Sequence, residues 1–391
     1  MREIPLCVPH LGGNETRYLG ECVATNFVSS VGPFVDRFEA SFVERIGTRV
    51  AVAAVNGTSA LHVALLVAGV EADDEVLIST LTFIAPVNAV RYVGAWPVFI
   101  DAEPEYWQLD IQRVAEFLKR SCERRNGELR NRTTGRRVRA LMPVHILGHP
   151  VDIDPLLELA REFGLVVIED ATESLGALYK GRVVGHLGDI ACFSFNGNKL
   201  ITSGGGGMLV TDREDWGKRA RYLSTQAKDD PIEFVHGAVG YNYRLTNLQA
   251  ALGCAQMERL DDHIADKRRI AERYSTGLGD LPGVAPMAEA PWAFSAYWMY
   301  TILVDERRFG MSSRGLLQRL DQARIQSRPL WQPAHLSPSQ RDAQPAECPV
   351  AERLNRDALS LPCSVGLTGE DQDRVIETIR AAARSVGKRE A

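Results

Sequence analysis

Residues 163–211, FGLVVIEDATESLGALYKGRVVGHLGDIACFSFNGNKLITSGGGGMLVT, contain three apolar runs of strand length. The first run, residues 165–168, is apolar on both faces, as expected of a strand that helices cover on each side. It ends in Glu169 and Asp170. Ligands of open parallel sheets bind at the carboxyl ends of the strands, so we expect Asp170 to meet a cationic group on a ligand.

A lysine lies between the second and third of these runs. Residues 190–195 lead into Asn196-Gly197-Asn198-Lys199, and four glycines at 204–207 precede the run that begins at Met208. These residues alone leave three interpretations of Lys199 open: a solvated loop lysine, a phosphate-binding lysine, or a lysine that forms a Schiff base with pyridoxal phosphate. In the third case Asp170 would keep the pyridine nitrogen protonated and the ring electron-withdrawing.

Length and composition restrict the class of protein. A chain of 391 residues favours a large domain and a smaller one, and its net charge of −5 argues against nucleic-acid binding. Polar residues interrupt the apolar segment 50–70, and the N-terminus lacks a secretory apolar core, so we expect no membrane association and a cytoplasmic location. The seven cysteines are scattered without a CxxC pair, which favours reduced thiols over disulfides or a metal site.

Strands and helices alternate upstream of residue 163. A strand at 49–55 turns through Asn56-Gly57-Thr58-Ser59 into a helix from Ala60. Such a turn directs backbone N–H groups, the positive end of the helix dipole and two hydroxyls to one point, which suits a phosphate. Thr58 and Ser59 could equally be plain helix N-caps. Further strands at 75–78 and 96–100 continue the alternation, which predicts a parallel sheet with helices on both faces.

Three other features each have a structural and a functional interpretation. Phe83 follows the strand at 75–78 and is either a core anchor or a stacking cover for a planar ring. His145 follows the strand at 140–144 and either orients a ligand or is a hydrogen-bonded structural histidine. The seven arginines within residues 121–139 form either a solvated hairpin or a collector of an anionic substrate.

The downstream sequence divides into longer and shorter elements. Thr246 is predicted to cap a helix at 247–260, after an irregular loop at 224–240, and a charged helix at 261–278 reads as a connector. Strands follow near 298–304 and 324–328, with helices at 312–321, 349–357 and 369–386. We therefore predict a large α/β domain over residues 1–260, and a connector helix with a small α+β domain over 261–391.

Five motifs in this order resemble the DegT/DnrJ/EryC1/StrS family of pyridoxal-phosphate-dependent nucleotide-sugar aminotransferases. They are NGTSALH at 56–62, TLTFIAPVNA at 80–89, IEDATESLGA at 168–177, FSFNGNKLITSGGGG at 193–207 and GYNYRLTNLQAAL at 240–252. The resemblance runs from Ile4 to the last predicted helix. It implies an α/β protein of fold type I, like aspartate aminotransferase, with a mostly parallel central sheet, helices on both faces and a smaller C-terminal α+β domain.

Other stretches resemble one branch of that family, the enzymes that aminate UDP-linked 4-keto-6-deoxy hexoses, as in legionaminic acid synthesis. They are IPLCVPHLGGNE at 4–15, NFVSSVG at 26–32, TTGRRVRALMPVHILGHPVD at 133–152, TQAKDDP at 225–231 and SRPLWQPAH at 327–335. The branch implies transfer of an amino group from L-glutamate to the C4 keto group of a UDP-linked sugar, for surface-polysaccharide or amino-sugar biosynthesis. GDP-linked, dTDP-linked and 3-keto sugars stay open as alternatives.

The resemblance also implies roles for individual residues. Lys199 would bind the cofactor covalently and act as general acid and base, while the cofactor alternates between pyridoxal and pyridoxamine phosphate. The implied cofactor contacts are Thr58, Ser59 and Ser194 at the phosphate, Phe83 over the ring, Asp170 at the ring nitrogen, Glu173 near the phenolic oxygen, and Asn242 at the phosphate from the partner of a homodimer. The implied substrate contacts are Arg244, also from the partner, with Ser29, Arg328 and Trp331.

Three competing functions can be weighed on the same residues. A sugar dehydratase of this fold would, by family resemblance, carry histidine in place of Lys199. A non-catalytic sensor or scaffold would be expected to have lost site residues such as Asp170. A magnesium-dependent phosphotransferase could use Glu169 and Asp170, but the chain lacks a GxxxxGK[ST] loop.

Overall fold

The structure is a computed structural model that describes residues 2–230 and 232–387. Pro231, the last residue of the TQAKDDP stretch, and residues 388–391, the end of the predicted second domain, lie outside the described residues.

Helices and strands alternate along most of the chain. The α-helices are α1 Glu15–Ala24, α2 Pro33–Ile46, α3 Gly57–Val67, α4 Ile84–Tyr92, α5 Ile111–Glu116, α6 Ile153–Phe163, α7 Glu214–Ser224, α8 Asn247–Met257, α9 Leu260–Leu278, α10 Glu306–Phe309, α11 Ser313–Gln322, α12 Pro349–Asp357 and α13 Gly369–Gly387. The strands are β1 Val50–Ala54, β2 Glu75–Ser79, β3 Trp96–Ile100, β4 Cys122–Arg125, β5 Glu128–Asn131, β6 Val138–Met142, β7 Val166–Asp170, β8 Leu178–Tyr179, β9 Arg182–Val183, β10 Ile190–Ser194, β11 Gly207–Thr211, β12 Val284–Pro286, β13 Ala293–Phe294, β14 Tyr300–Val304 and β15 Ala358–Leu361.

A seven-stranded sheet with the order β1-β11-β10-β7-β6-β2-β3 forms the centre of the fold. Strands β10, β7, β6, β2 and β3 pair in parallel, whereas β11 is antiparallel to both β10 and β1. All strands of this sheet except β11 therefore point the same way. The mostly parallel sheet predicted from the sequence is confirmed.

Helices cover both faces of this sheet. Along β1, Val52 and Ala54 belong to the same apolar cluster as Leu61 of α3, whereas Ala51 and Ala53 belong to the cluster that contains Phe38 of α2. Because successive side chains of a strand point to opposite faces, the alternation places α3 on one face and α2 on the other. This arrangement confirms the predicted fold class.

Two smaller sheets include strands from the last third of the chain. Strands β12, β14 and β15 form an antiparallel sheet, and β13 pairs with β8, which pairs with β9. The four-residue β15 has no clear sequence signal, and it was not predicted. The domain boundary at residue 260 stays a prediction, since one apolar cluster contains both α3 and β14 residues.

The strand predicted at 324–328 is wrong. Arg324 takes a left-handed conformation with φ of 59°, so the chain turns as it leaves α11. Only single bridges follow, from Ile325 to Ile4 and from Arg328 to Ser360, and Pro329 then lacks an N–H to extend the second pairing.

Among the described residues, none of the helices has the length and apolar character needed to cross a bilayer.

Candidate active site

The carboxyl ends of the parallel strands open onto a cavity of about 350 Å³. The segments that follow β1, β2, β7 and β10 reach it, together with the glycines that precede β11. Its wall includes Asn56, Gly57, Thr58, Thr82, Phe83, Asp170, Thr172, Glu173, Ser194, Asn198, Lys199, Gly206, Trp298 and Trp331. The convergence arises because parallel strands present all their carboxyl ends at one edge of the sheet.

The N-terminus of α3 forms one end of the cavity. Asn56 caps this helix, since its side-chain oxygen accepts a hydrogen bond from the Ser59 N–H at 2.7 Å. Neither Thr58 nor Ser59 is therefore the N-cap. Thr58 lines the cavity, whereas Ser59 is buried and lines an adjoining pocket with His62. The positive end of the helix dipole and the Thr58 hydroxyl are thus available to an anion.

Gly57 allows α3 to approach β10 closely. A Cβ atom at this position would lie 2.8 Å from Cβ and 3.2 Å from Oγ of Ser194, and 3.2 Å from Cγ2 of Thr172. A side chain at residue 57 would consequently displace Ser194, the half-buried hydroxyl that ends β10. Glycine is required here for the space it leaves, and both Thr58 and Ser194 line the cavity beside it.

Asp170 ends β7 and is only 1% exposed. Its carboxylate accepts a hydrogen bond from the Thr172 N–H at 3.1 Å, and no ion pair joins it to a cationic side chain among the described residues. Burial raises the pKa of Asp170, against the opposing effects of the Thr172 hydrogen bonds and the charge of Lys199. A buried carboxylate without a cation beside it is suited to a protonated nitrogen on a ligand.

Lys199 lies on the loop after β10 and lines the same cavity as Asp170. Its Nζ is 3.6 Å from Oε1 of Glu173 and 4.0 Å from the centre of the Trp298 ring. The lysine backbone N–H donates to the Asn196 carbonyl at 3.0 Å, which closes the turn predicted from the sequence. The amine is therefore held between a carboxyl group and an aromatic face, with 14% of its side chain exposed.

Glu173 is a buried carboxyl group in direct contact with this amine. Its second oxygen accepts a hydrogen bond at 2.8 Å from the N–H of Leu147, whose φ of 61° is unusual for a branched side chain. Burial raises the pKa of Glu173 to about 7, although the charge of Lys199 opposes the rise. Such a group can gain or lose a proton near neutral pH, next to Lys199.

Trp298 belongs to the cavity but was not identified from the sequence as a site residue. Its indole N–H donates to the Asn198 carbonyl at 2.6 Å, and its ring stacks on Trp331 at 6.4 Å with an interplanar angle of 7°. Trp331 thereby lines the cavity as well. No local motif marks Trp298, since the contact joins residues about one hundred positions apart.

Phe83 occupies the N-cap position of α4 and lines the cavity. Its side chain is 54% exposed, which excludes the interpretation as a core anchor. The exposed ring is suited to cover a planar ligand by stacking.

Besides Ser59, four of the residues with implied ligand contacts do not line this cavity. Ser29, Asn242, Arg244 and Arg328 are all exposed. Asn242 and Arg244 lie in the segment before α8, where Thr246 and Gln249 form a capping box that confirms the predicted helix start. Their roles stay predictions.

His145 and Glu169 form a buried pair behind the cavity. Nε2 of His145 lies 3.1 Å from Glu169, and its Nδ1 accepts the Val151 N–H at 3.0 Å. Glu169 also accepts backbone hydrogen bonds from Gly185, Leu187 and Gly188. These bonds favour the structural interpretation of His145, and they leave Glu169 engaged instead of free to hold a magnesium ion.

The arginine-rich segment follows the structural interpretation too. Strands β4 and β5 form the predicted hairpin, and Arg130, Arg132 and Arg137 pair with Glu128, Glu123 and Asp74. Arg136 lies against the Trp96 ring at 4.1 Å. Because most of these cations already have partners, the segment is not a free anion-collecting surface.

The cavity residues fit pyridoxal phosphate at three points. The α3 N-terminus with the hydroxyls of Thr58 and Ser194 suits its phosphate, and the buried carboxylate of Asp170 suits its ring nitrogen. The primary amine of Lys199 suits its aldehyde, with Glu173 at contact distance.

Comparison with known proteins agrees with this chemistry. The model of the DegT/DnrJ/EryC1/StrS aminotransferase family matches residues 9–380. The chain is 40% identical to GDP-perosamine synthase of Caulobacter vibrioides over 96% of this chain and 97% of that protein. It is 38% identical to GDP-perosamine synthase of Escherichia coli O157:H7 over 97% of this chain and 98% of that protein.

A solved structure shows the same relationship. The aminotransferase TlmJ from Streptoalloteichus hindustanus superposes with a TM-score of 0.89 at 28% identity, covering 98% of this chain and all of that one. The chain therefore belongs to the DegT/DnrJ/EryC1/StrS aminotransferase family and is a pyridoxal-phosphate-dependent sugar aminotransferase.

Proposed function

We propose that this enzyme transfers an amino group from L-glutamate to the C4 keto group of a GDP-linked 4-keto-6-deoxy sugar. The observation that carries the proposal is the meeting of Lys199, Glu173 and Asp170 with the α3 N-terminus in one cavity. This set supplies an amine, a proton-accepting neighbour, a partner for a ring nitrogen and an anion site, which together are the requirements of transamination with pyridoxal phosphate.

The nucleotide differs from our first expectation. The sequence motifs favoured a UDP-linked substrate, whereas relatives of about 40% identity from two organisms carry the name GDP-perosamine synthase. Both align over nearly the whole of this chain. Their names favour GDP over UDP, and we therefore replace the UDP-linked sugar of the legionaminic acid branch with a GDP-linked one.

Each of these cavity residues has a separate role toward the cofactor. Pyridoxal phosphate, when bound, supplies an aldehyde that condenses with amines and a ring that withdraws electrons. Asp170 would hold the positive charge of the ring nitrogen, and Thr58 and Ser194, with Ser59 from the adjoining pocket, would hold the phosphate. Phe83 would cover one face of the ring.

Lys199 moves the protons. Its amine removes a proton from the α-carbon of L-glutamate in the first half-reaction and delivers one to C4 of the sugar in the second. Glu173, in contact with Nζ and with a pKa of about 7, takes or returns a proton as the charge of Lys199 changes. Trp298 limits the movement of the amine from the other side.

We further propose a homodimer in which each protomer completes the cavity of the other. Asn242 and Arg244 are exposed and do not line the cavity of their own chain. Two loops expose apolar side chains near this segment: the loop that precedes it, and the loop whose Ser29 carbonyl accepts the Asn247 N–H at the start of α8. The exposed residues are Phe27, Val28, Val31, Ile232, Val235 and Val239. Such exposure supports an interface there, with Asn242 reaching the cofactor phosphate and Arg244 the substrate diphosphate across it.

Besides Arg244, three residues are assigned to the position of the substrate. Trp331 lines the cavity beside Trp298, and we propose that it contacts the nucleotide sugar. Ser29 and Arg328 are exposed outside the cavity, and we propose that they meet the substrate at its rim.

The test uses the purified enzyme with pyridoxal phosphate and proceeds in two steps. L-glutamate should bleach the visible absorbance of the loaded enzyme, which reports the first half-reaction. A panel of GDP-, UDP- and dTDP-linked 4-keto-6-deoxy sugars and a 3-keto sugar should then be assayed by product mass. We expect the GDP-linked 4-keto sugar to be aminated fastest; faster turnover of the UDP-linked sugar would restore our first expectation, and bleaching without any aminated sugar would refute the substrate class.

A further inference from the structure

Lys267 is a buried cation that transamination does not use. It lies in α9, is 1% exposed, and donates to the carbonyls of Trp298, at 2.8 Å, and Cys363. No ion pair joins Lys267 to a carboxylate within the described residues. A buried ammonium group requires a compensating negative charge, because its transfer from water is otherwise very costly.

Two thiols that can supply this negative charge lie beside the Lys267 ammonium group. The Lys267 Nζ atom lies 3.8 Å from Sγ of Cys7 and 3.6 Å from Sγ of Cys363. Both sulfurs therefore flank the same ammonium group, and the Cys363 N–H donates to the Leu6 carbonyl at 2.8 Å. The N-terminal arm and the chain after β15 are thus joined at this point, around one cation.

The surroundings shift the pKa values of the two thiols in opposite directions. The hydrogen bond from Cys363, followed by the charges of Lys267 and Lys199, lowers the pKa of Cys7 to about 6 against the opposing effect of burial. The Asn198 carbonyl, 3.3 Å from Sγ of Cys7, accepts a hydrogen bond from the protonated thiol. The pKa of Cys363 is raised, by its interaction with Cys7 and by burial, so Cys7 is the thiol of the pair that ionises more readily.

A difference in pKa of this kind is typical of a reactive thiol and the resolving thiol beside it. A thiolate attacks hydroperoxides, whereas a neutral thiol does not. Cys7 is partly exposed and Cys363 is buried, so an oxidant reaches Cys7 first. The other buried thiols differ: burial raises the pKa of Cys22, Cys254 and Cys192 and keeps them protonated.

We propose that Cys7 and Cys363 form a hydroperoxide-reactive thiol pair placed behind the Lys199 loop. The Cys7 thiolate attacks a peroxide oxygen, the O–O bond breaks, and Cys7 becomes a sulfenic acid while the peroxide is reduced to water or an alcohol. The Cys363 thiol then attacks this sulfur, a disulfide forms, and the sulfenic oxygen leaves as water. A dithiol reductant reverses the oxidation.

The pair is connected to the active site through Asn198 and Trp298. Lys267 holds the Trp298 carbonyl, the Trp298 ring lies 4.0 Å from Nζ of Lys199, and the indole N–H holds the Asn198 carbonyl beside Cys7. Disulfide formation removes the thiolate that compensates Lys267. Oxidation should therefore disturb the position of the Lys199 amine and lower the transamination rate.

The primary test is mass spectrometry of the loaded wild-type enzyme after brief exposure to hydrogen peroxide and alkylation with iodoacetamide. We expect a disulfide that links the peptides of Cys7 and Cys363, with Cys22, Cys192 and Cys254 still reduced as internal controls. This readout needs no nucleotide sugar, so it stands or fails separately from the proposed substrate. Reduced Cys7 in enzyme whose other thiols are oxidised would overturn the proposal.

Variants then test the order of events and the role of the cation. Cys363→Ser should stop the oxidation at a Cys7 sulfenic acid that dimedone traps, and Cys7→Ser should abolish the loss of the glutamate half-reaction under peroxide. Lys267→Met should shift the alkylation of Cys7 by iodoacetamide to higher pH. An unchanged pH profile in that variant, or equal peroxide sensitivity in Cys7→Ser, would refute the assignment; if Lys267→Met does not fold, the wild-type mapping still decides.

Discussion

Nζ of Lys199 lies 3.6 Å from Oε1 of Glu173, and both side chains are largely withdrawn from water. The sequence alone identified each residue as a candidate but gave no measure of their separation. The contact couples the protonation of the carboxyl group to the charge of the amine, because burial weakens the screening between them.

Lys199→Ala should abolish transamination. Both the covalent attachment of the cofactor and the proton transfer at the α-carbon depend on this amine, and general acid–base catalysis alone is worth about 10²–10⁴-fold. The measurement is the glutamate half-reaction, together with borohydride reduction and peptide mass to detect attached cofactor. Lys218→Ala, on the exposed face of α7, is the matched control. More than a few per cent of wild-type turnover would contradict the assignment.

Asp170→Asn should retain cofactor and lose most activity. A neutral amide cannot compensate the positive charge of the ring nitrogen, and breaking a buried charge pair costs roughly 3–5 kcal/mol. That cost corresponds to a loss of about 10²–10⁴-fold in rate. The cofactor content is read from absorbance and the activity from the glutamate half-reaction. Asp215→Asn, an exposed carboxylate at the start of α7, should change neither; wild-type rates in Asp170→Asn would exclude the pairing.

Glu173→Gln should flatten the dependence of stability on pH. Burial raises the pKa of Glu173 from 4.5 to about 7, so the folded protein keeps a proton that the unfolded chain has released between those values. The stabilisation is complete below the unfolded pKa of about 4.5 and is lost as the pH rises through about 7, by roughly 3 kcal/mol in total. Glutamine keeps the oxygen that accepts the Leu147 N–H but does not titrate.

The check is the free energy of unfolding of cofactor-free protein, measured with denaturant at about pH 5 and about pH 8. Wild type should lose stability relative to the variant as the pH rises. Parallel pH profiles for the two proteins would show that Glu173 titrates normally.

Gly57→Ala should weaken cofactor binding, because its Cβ would lie 2.8 Å from Cβ of Ser194. Overpacking of this kind costs about 1–3 kcal/mol, which corresponds to about 10–100-fold in the dissociation constant. Titration of the cofactor-free enzyme with pyridoxal phosphate measures the effect. Gly20→Ala is the matched control, since an added Cβ in that exposed turn of α1 meets nothing within 4 Å. Equal affinities in the two variants would show that the close approach is not needed.

Arg244→Ala distinguishes a substrate contact from a structural one. Loss of one charge-assisted hydrogen bond, about 1.5–3 kcal/mol, should raise the Michaelis constant for the nucleotide sugar by about 10–100-fold and leave the glutamate half-reaction near normal. Arg125→Ala, exposed on the β4–β5 hairpin, should change neither. If dimer mass and both half-reactions fall together in Arg244→Ala, the residue is an interface contact; a dimeric variant with unchanged sugar kinetics refutes both roles.

The sequence by itself determined the sheet, its parallel sense and the edge at which the site lies. Alternating apolar runs and helical periods are local patterns, and the carboxyl ends of parallel strands must share one edge. The pattern therefore brings Thr58, Asp170 and Lys199 together, and the family resemblance adds Ser194. Phe83 and His145 were placed at the correct edge, but their exposure, which separates ligand contact from core packing, was not encoded locally.

Only the tertiary structure decided which groups surround Lys199 and how they titrate. Trp298 reaches the cavity through a contact between distant segments, and the raised pKa of Glu173 comes from burial by residues scattered along the chain. The thiols of Cys7 and Cys363 meet at Lys267 for the same reason. Residues 324–328 have the composition of a strand, yet they pair only at single bridges because the chain turns at Arg324. Desolvation and long-range packing depend on the whole fold, and no local pattern specifies them.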